Sequence, residues 1–396
     1  MRTPHGTKPS SAGIALALTI FAALVVVAPS AHAQRFKSLY SFTAPPDGST
    51  PYGAVSKDKS GNLYGTTSAG GASGFGTVYK LSKSGKETVL YSFTGGADGS
   101  TPYAGVIQDA EGNLYGTTIR GGAYGAGTVF EVNRKSKQET VLYNFAGEPD
   151  GGTPFAGLIM DKSGNLYGTT LSGGSSNAGT VYKVNIHTKQ ETVLYSFAGE
   201  PDGADPVFGS LLMDKLGTLY GTTEGGGTSN SGTVWELSAN GTETVLYSFT
   251  GGKDGGGGDG GPDQSLVMDT QGNLYGITER GGVGVGVVFK VNIRSKKETV
   301  LYTFNAPKNG EIPSGGLVRD SKGNLYGTTT AGGDKESNGT VFKVTGTKET
   351  VLHRFDGTDG QNPYICPLML DEHGTLYGVT YLGGANGYGT VFSIKP

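Results

Sequence analysis

Residues 109–118 read Asp-Ala-Glu-Gly-Asn-Leu-Tyr-Gly-Thr-Thr, and this stretch decides the fold because close variants of it recur along the whole chain. Its centre is the string Leu-Tyr-Gly-x-Thr. The string begins at Leu63, Leu114, Leu166, Leu219, Leu274, Leu325 and Leu376. Successive copies lie 51 to 55 residues apart. A period of about 50 residues is typical of propeller blades rather than of helical solenoids, so seven copies predict seven blades.

Each copy contains four segments with the composition of β-strands, separated by turn residues. In the second copy these segments are 103–109, 113–118, 128–132 and 139–145. They are short and rich in β-branched and aromatic residues, as strands are. Between the first two segments, Asp109 caps a tight hairpin and Gly112 supplies a positive φ angle. Four antiparallel strands that repeat radially form a propeller blade.

The two ends of the repeat region predict how the ring closes. The region starts with a segment of the fourth type at 39–42 and finishes with one of the third type at 390–394. Each strand type therefore occurs seven times, although the last copy lacks its own fourth strand. Pairing the N-terminal strand with the last blade removes two exposed sheet edges. The sequence thus predicts an all-β, seven-bladed β-propeller whose ring is closed by the N-terminal strand.

The N-terminal residues have the layout of a secretory signal peptide. Arg2 and Lys8 precede an uncharged, largely apolar run at 12–28, and Ala31-His32-Ala33 is a small-x-small cleavage site. The apolar run is shorter than the roughly 20 residues that a membrane-spanning helix needs. We therefore expect cleavage after Ala33 rather than a transmembrane anchor.

The predicted domain organisation is a signal peptide at 1–33 followed by a single propeller domain at 34–396. We expect a secreted or periplasmic monomer without a stable membrane span after cleavage. The mature chain has an excess of five acidic residues, which argues against a nucleic-acid binder. Cys366 is the only cysteine, so no intrachain disulfide forms, and we interpret it as a small buried residue of the innermost strand.

The repeated pattern resembles the GloVer tandem repeat of bacterial exported proteins. The shared elements are Leu-Tyr-Ser-Phe, Asp-Gly-x-x-Pro, Gly-Asn-Leu-Tyr-Gly-Thr-Thr and Gly-Thr-Val-Phe, and they run from residue 36 to residue 396. The resemblance implies export and a repeat architecture. It implies no particular activity, so no catalytic residue is carried over from the family.

Comparison of the seven copies separates scaffold from candidate site. Residues that occur in every copy, such as the tyrosine of Leu-Tyr-Gly and the hairpin aspartate, are predicted to be structural. Trp235 occupies the position held by Phe130, Tyr182 and Phe289 in other copies, so we expect it in the core. The tyrosines are expected to pack between blades with their hydroxyls bonded to polar partners.

Strand order places two sets of loops on the same side of the ring, defined here as the top face. They are the loop that leads into each blade (the lead-in loop) and the hairpin between its second and third strands (the top hairpin). Directly after the proline of the lead-in loop, four blades carry an aromatic residue and two carry a polar one. The aromatic residues are Tyr52, Tyr103, Phe155 and Tyr364, and the polar ones are Asp263 and Ser314.

Charged residues interrupt the top face at the two positions after Leu-Tyr-Gly-x-Thr. Most blades have small or apolar residues there, whereas blades four and five have Glu224 and Glu279-Arg280 and blade two has Arg120. The sequence predicts a channel mouth with aromatic rings on one side and a carboxylate–arginine cluster on the other. Rings for stacking and acceptors for hydroxyl groups suit a sugar chain. The alternative is that the rings pack on neighbouring prolines and that the glutamates are solvated.

Familiar catalytic and metal sites are poorly supported by the sequence. His187, His353 and His373 map to different loops and strands, which argues against a histidine metal site or a Ser-His-Asp triad. Glu224 and Glu279 lie in adjacent blades, so a carboxylate-pair hydrolysis stays open. We expect no cofactor, with calcium as the alternative, because an inserted loop at 253–263 holds three aspartates among glycines.

Three functions follow as hypotheses. The first is an exported, non-enzymatic propeller that binds a glycan, or another extracellular ligand such as a protein, at the top face. The second is a polysaccharide-cleaving lyase or hydrolase that uses Glu224, Glu279 and Arg280. The third is a structural or protein-interaction scaffold, which needs no polar cluster at the mouth.

Overall fold

Seven four-stranded antiparallel sheets form a seven-bladed β-propeller, as the repeat predicts. The computed structural model describes residues 35–396 except 44, 258, 259, 263, 283, 306 and 334. The predicted signal peptide and Asp263 lie outside the described residues. Blades are numbered 1 to 7 in the order of their Leu-Tyr-Gly motifs, and strands are counted from the central axis outward.

The strand bounds repeat from blade to blade. The first strands are Ser56–Lys57, Ile107–Gln108, Ile159–Met160, Leu212–Met213, Val267–Met268, Val318–Arg319 and Met369–Leu370. The second strands are Leu63–Thr67, Leu114–Thr118, Asn165–Thr170, Leu219–Thr223, Asn273–Thr278, Leu325–Ala331 and Leu376–Thr380. The third strands are Thr77–Leu81, Thr128–Val132, Thr180–Asn185, Thr233–Leu237, Val287–Asn292, Thr340–Thr345 and Thr390–Lys395. The fourth strands are Glu87–Ser92, Glu139–Asn144, Glu191–Ser196, Glu243–Ser248, Glu298–Thr303, Lys348–Arg354 and Arg35–Ser41.

Short additional elements lie on the top face. Gly48–Ser49 pairs with Ala69–Gly70, and Gly203–Ala204 pairs with Gly225–Gly226. In blade 6, a single 3-10 turn at Pro307–Asn309 precedes Glu311–Pro313, which pairs with the end of the second strand. These pairs attach the lead-in loops to the top hairpins of the same blades.

The first strands are shorter than the sequence predicts. The segment 103–109 was expected to be a strand, but only Ile107–Gln108 pairs with the second strand of its blade. Upstream of Ile107 the chain leaves its own sheet and runs against blade 1. A Cβ atom on Gly105 would lie 1.9 Å from the carbonyl oxygen of Ala54. Tyr103 consequently belongs to a loop at the mouth of the channel rather than to a strand.

The N-terminal strand closes the ring, which confirms the prediction from the chain ends. Arg35–Ser41 pairs antiparallel with Thr390–Lys395, with Phe36 opposite Ile394 and Tyr40 opposite Val391. Phe42 follows directly and is fully buried in a cluster with residues of blades 7 and 1. The first and last blades are therefore joined by the same packing as every other pair.

One aromatic contact recurs at all seven joints between blades. A phenylalanine after each fourth strand meets, edge to face, an aromatic ring in the third strand of the next blade. The centroid distances are 4.9 to 5.4 Å. Trp235 is the ring at the joint of blades 3 and 4, where it contacts Phe197 and is fully buried. Its predicted core position is confirmed.

These rings explain the invariant glycine of the Leu-Tyr-Gly motif. In blade 2, a Cβ atom on Gly116 would lie 2.6 Å from Cζ of Phe130 in the neighbouring strand. Since both faces of each sheet are covered by another blade, the third strands are buried almost continuously instead of alternately. The scaffold thus uses its large side chains between blades, and divergent residues remain for the loops of the top face.

Candidate functional site

Rigid backbone links position the residues at the top of the channel. Thr101 in the lead-in loop of blade 2 has a φ of 56°, which is unusual for a β-branched residue. Its N–H donates to the carbonyl of Phe75 in blade 1 at 2.9 Å, and its carbonyl accepts from Ile119 at 3.3 Å. Pro102 and Tyr103 follow immediately. The conformation is thus fixed from two neighbouring elements, which holds Tyr103 at the axis.

Aromatic side chains of five consecutive blades meet at this mouth. Tyr52 and Tyr103 are stacked with centroids 4.0 Å apart, and Tyr103 contacts Phe155 edge to face at 5.2 Å. On the other side of Tyr52, the ring of Tyr364 lies at 6.4 Å. The structure therefore brings together the four aromatic residues that the sequence places after the lead-in proline, through blades 7, 1, 2 and 3.

Two further rings belong to this aromatic cluster and were missed by the sequence analysis. Phe208 of blade 4 lies 5.3 Å from Phe155, and Tyr381 of blade 7 lies 4.6 Å from Tyr52. Asp214 follows Pro206 by eight positions, whereas Asp161 follows Pro154 by seven. The aromatic residue of blade 4 lies one position further from its proline, but blade 7 has the same spacing with Tyr364 directly after the proline, so length alone does not reveal Phe208. Tyr381 occupies the position of Glu224 and Glu279 in its own blade.

The members of the cluster differ in their exposure. Tyr52 is only 8% exposed, and burial, followed by hydrogen bonds with Tyr103 and Tyr381, holds the pKa of its phenol far above the usual value. The rings of Tyr103, Phe155 and Phe208 are partly exposed. Tyr52 consequently supports its neighbours, and the partly exposed rings are the ones available to a ligand.

A cavity of about 370 Å³ extends from these rings into the central channel. Tyr103, Phe155 and Phe208 line its mouth, and apolar side chains such as Val106 and Met369 line its wall. Its walls come from blades 1, 2, 3, 4 and 7. An apolar pocket of this size with a few polar groups at the rim is the usual form of a small-ligand site.

The carboxylates lie in the top hairpins of blades 4 and 5 and are not among the residues that line this cavity. Glu224 and Glu279 each follow the second strand of their blade, and the charge of Glu224 is close enough to influence the ionisation of Glu279. Glu279 is 8% exposed, and its Oε1 has no hydrogen-bond partner among the described residues. Burial first, and then the charge of Glu224, raise the pKa of Glu279 to about 7, although Arg280 acts in the opposite direction. This carboxyl can therefore exchange a proton near neutral pH.

The two candidate arginines are placed differently. Arg280 is exposed, and its aliphatic stem covers Gly260, where a Cβ atom would lie 2.4 Å from its Cγ. Arg120 is also exposed, but it lies in blade 2, three blades away from Glu279. Its backbone pairs with Ser100. The predicted carboxylate–arginine cluster thus consists of the two glutamates and Arg280, and Arg120 lies on the aromatic side instead.

The aspartates of the Asp-Gly pairs in the lead-in loops cap their own loops, as those of blades 2 and 5 show. Asp98 accepts hydrogen bonds from Tyr91 Oη at 3.0 Å and from the backbone of Thr94 at 2.7 Å. Asp254, in the loop proposed for calcium, has the same contacts with Tyr247 and Thr250. Asp259 and Asp263 of that loop lie outside the described residues. The side chain of Asp254 is therefore already bonded within its loop, and calcium binding by this loop stays a prediction.

The remaining candidates for chemistry lie apart from the mouth. His187 and His373 are exposed on the bottom face, and His353 contacts Asp359 at 2.7 Å on an outer strand. Within the described ranges no three His, Cys, Asp or Glu side chains are grouped to hold a metal ion. Cys366 is fully buried three residues before its first strand, and its Sγ donates to the carbonyl of Tyr364 at 3.0 Å.

Comparison with known proteins agrees with the repeat. The model of the Gloeobacter/Verrucomicrobia repeat matches residues 25–215 and 199–392. The chain belongs to this family. The two matches together span nearly all of the repeats of this family member, in agreement with the motifs that predicted it. A search of curated proteins finds no match.

Solved structures resemble the chain in fold. The extracellular domain of a one-component system from B. thetaiotaomicron has a TM-score of 0.58 at 12% identity, over 92% of this chain and 40% of that one. The chain thus spans less than half the length of that protein. An oligogalacturonate lyase from Vibrio parahaemolyticus has a TM-score of 0.55 at 12% identity, over 92% of this chain and 94% of that one. At such identities the likeness concerns the fold alone.

An oligogalacturonate lyase in complex with manganese is similar to the same extent, with a TM-score of 0.58 at 13% identity, over 91% of this chain and 96% of that one.

The residues of our chain that the structure describes include no helix with the length and apolar character to cross a membrane.

Proposed function

We propose that this protein is an exported binding propeller whose top-face mouth holds a neutral glycan. The observation that carries the proposal is the continuous row of aromatic rings from Tyr364 to Phe208 at the mouth of an apolar cavity, with the Glu224–Glu279 pair in the top hairpins of blades 4 and 5. Stacking on rings and hydrogen bonding to carboxylates are the two interactions that a pyranose chain requires.

The charge at the mouth restricts the class of glycan. The charge of Glu224 already raises the pKa of Glu279, so an anionic sugar placed beside them would add repulsion. Neutral sugars avoid this cost. We therefore expect neutral glycans to bind better than polyuronates.

The test is a glycan array with residues 34–396, in the presence and absence of calcium, followed by calorimetry on the best neutral glycan. We expect Tyr103→Ala and Phe208→Ala to weaken binding about tenfold or more, because each removes a stacking surface. Leu216→Ala is the matched control, since Leu216 is 83% exposed on the bottom face. A blank array from folded protein would contradict the proposal and favour the scaffold hypothesis.

A second candidate function, cleavage of the bound glycan, is favoured by one specific observation. A carboxyl with a pKa of about 7 beside a second carboxylate matches the pair that general acid–base hydrolysis uses. The candidate machinery is Glu279 as the acid, Glu224 as its partner and Arg280 at the rim. Release of new reducing ends from an array-positive polysaccharide, abolished by Glu279→Gln with binding retained, would establish cleavage. Binding without product would leave the protein a binding module.

A further inference from the structure

Three neighbouring top hairpins expose aromatic side chains to solvent. Tyr388 of blade 7 is 39% exposed, Phe75 of blade 1 is 44% exposed and Tyr124 of blade 2 is 69% exposed. We define these three residues as the outer arc. They are three of the five large hydrophobic residues that the described part of the chain exposes.

The arc is confined to one side of the ring. Phe75 and Tyr388 occupy equivalent positions, directly before the glycine that precedes the third strand. In the other five blades the same position carries Ala126, Ala178, Ser231, Val285 and Asn338. Blade 2 instead has its ring two positions earlier, at Tyr124. Hence aromatic residues occur in the top hairpins of blades 7, 1 and 2 only, which are blades that also supply rings to the mouth.

Backbone hydrogen bonds connect the outer arc to the mouth. The carbonyl of Phe75 accepts from Thr101 at 2.9 Å, and the carbonyl of Tyr388 accepts from Thr50 at 3.0 Å. Thr101 and Thr50 lie two residues before Tyr103 and Tyr52, respectively. These bonds join the hairpin of Phe75 to the loop of Tyr103 and the hairpin of Tyr388 to the loop of Tyr52, so two of the three outer rings are tied to inner rings.

The ring of Phe75 is held open rather than folded into the core. It rests on Gly95, where a Cβ atom would approach the ring to 2.7 Å. Exposed aromatic side chains lose the benefit of burial. The outer arc therefore presents three separate rings that are available for stacking by a ligand.

We infer that the outer arc binds further sugar units of the same polysaccharide that enters the mouth, and this inference rests on the proposed function. The units are β-linked pyranoses with equatorial substituents, since only these present flat C–H faces to an aromatic ring on repeated units. The distribution of the rings supports a chain ligand, because each of three neighbouring blades carries one of them.

A protein partner fits the arc less well. The core of a protein interface is a contiguous, fully desolvated apolar patch. Here the rings are separated by glycines and by exposed polar residues such as Ser73 and Asn386. Separate stacking points suit repeating units better than they suit one packed interface.

The dimensions of a blade make chain length the discriminating variable. Neighbouring strands are about 4.8 Å apart, so a hairpin that joins the second and third strands is centred roughly 7 Å outside the first strand. A trisaccharide seated in the mouth does not extend along the arc. A longer chain passes over both sets of rings, and its extra units gain contacts with Phe75, Tyr124 and Tyr388.

The test compares short and long probes by calorimetry. The probes are cellotriose and cellohexaose, with chitotriose and chitohexaose as the N-acetylated pair. In the triple variant Tyr388→Ala, Phe75→Ala and Tyr124→Ala, we expect affinity for the hexasaccharide to fall about tenfold or more, with affinity for the trisaccharide unchanged. Tyr103→Ala should weaken both, and Leu216→Ala should weaken neither. Equal melting temperatures would exclude a folding defect.

The outcomes separate this inference from the proposed function. If the triple variant binds the hexasaccharides as the wild type does, or loses both lengths equally, the outer arc is not an extension of the mouth. If neither probe series binds while other glycans on the array do, the inference fails and the proposed function stands. A wild type that self-associates, and a triple variant that does not, would assign the arc to a second copy of the chain.

Discussion

The hairpins of the bottom face and the loops of the top mouth occupy the two ends of the same strands, yet they differ in how much they vary. In the bottom hairpin of blade 2, Asp109 accepts from the backbone and the side chain of Asn113 at 2.8 Å and from Tyr115 Oη at 2.9 Å. Blade 3 repeats all three contacts at Asp161. At the mouth, by contrast, equivalent positions hold Tyr381, Glu279 and Thr330.

The residues of the bottom hairpins are needed in every blade, whereas the divergent residues of the mouth are needed in one blade only. A hairpin between the first and second strands must satisfy the same backbone groups seven times, so the same aspartate recurs. At the mouth the lead-in loops and top hairpins pair through their backbones, as Ser100 pairs with Arg120, which leaves the side chains there free to differ. We therefore expect substitutions at repeated positions to change stability and substitutions at the mouth to change binding.

The largest expected effect on stability follows from removal of the closing strand. Deletion of residues 34–43 removes the strand Arg35–Ser41 and the buried Phe42, and it exposes the edge of Thr390–Lys395. We expect no cooperative unfolding transition, measured by circular dichroism. A chain that begins at residue 34 is the control. A melting curve like that of the control would contradict closure of the ring.

The next effect sharpens the scaffold side of the comparison. Trp235→Ala empties the joint between blades 3 and 4, where Trp235 contacts Phe197. We expect destabilisation by about 3–5 kcal/mol, as for other buried aromatic truncations. The measurement is urea-induced unfolding. Trp235→Phe, which restores the side chain of most other blades, should recover most of the loss. Unchanged stability of Trp235→Ala would refute the core assignment.

A smaller effect is expected at a bottom hairpin. Asp161→Ala removes the acceptor of hydrogen bonds from Asn165 and Tyr167, and the lost cap should cost about 1–2 kcal/mol. Glycan binding should be unaffected, because the hairpin is at the opposite end of the channel. The checks are urea-induced unfolding and calorimetry on one sample. A binding defect without a stability defect would contradict the assignment of this hairpin to the scaffold.

The last effect concerns the mouth and depends on pH. The pKa of Glu279 is about 7 in the folded protein, above its ordinary value of 4.5, so the folded state holds this proton more tightly than the unfolded state. The wild type should therefore lose stability as the pH rises from 4.5 through 7. Glu279→Gln removes this loss, and the variant should be more stable than the wild type at pH 8 by about 1–3 kcal/mol.

The measurement is the difference in unfolding free energy between wild type and variant at pH 5, 6, 7 and 8. Taking the difference cancels the contributions of other half-buried glutamates with raised pKa values, such as Glu139. Glu372→Gln is the control, because the side chain of Glu372 is 85% exposed. A constant difference across this range would show that Glu279 keeps its charge throughout.

The fold could be predicted from the sequence because the same local pattern occurs seven times. The Leu-Tyr-Gly motif gave the number of blades, and the segment at 39–42 gave the closing strand. The site was accessible only in part. Tyr52 follows its proline as Tyr103 does, but the structure buries it beneath the neighbouring rings. Phe208 was missed because it lies one position further from its proline than the other rings, and Arg120 was grouped with residues three blades away.

The sequence by itself determined the blade number, the strand order and the closure of the ring, since these depend on periodicity and on satisfying sheet edges. Only the tertiary structure decided which divergent residues meet. Because the propeller closes on itself, aromatic side chains from blades 7, 1, 2, 3 and 4 meet in one cluster. The fold also places Glu279 where burial and the charge of Glu224 raise its pKa. The contact of Tyr52 with Tyr381 joins residues more than 300 positions apart, and the distances in the cluster depend on how seven blades converge on one axis.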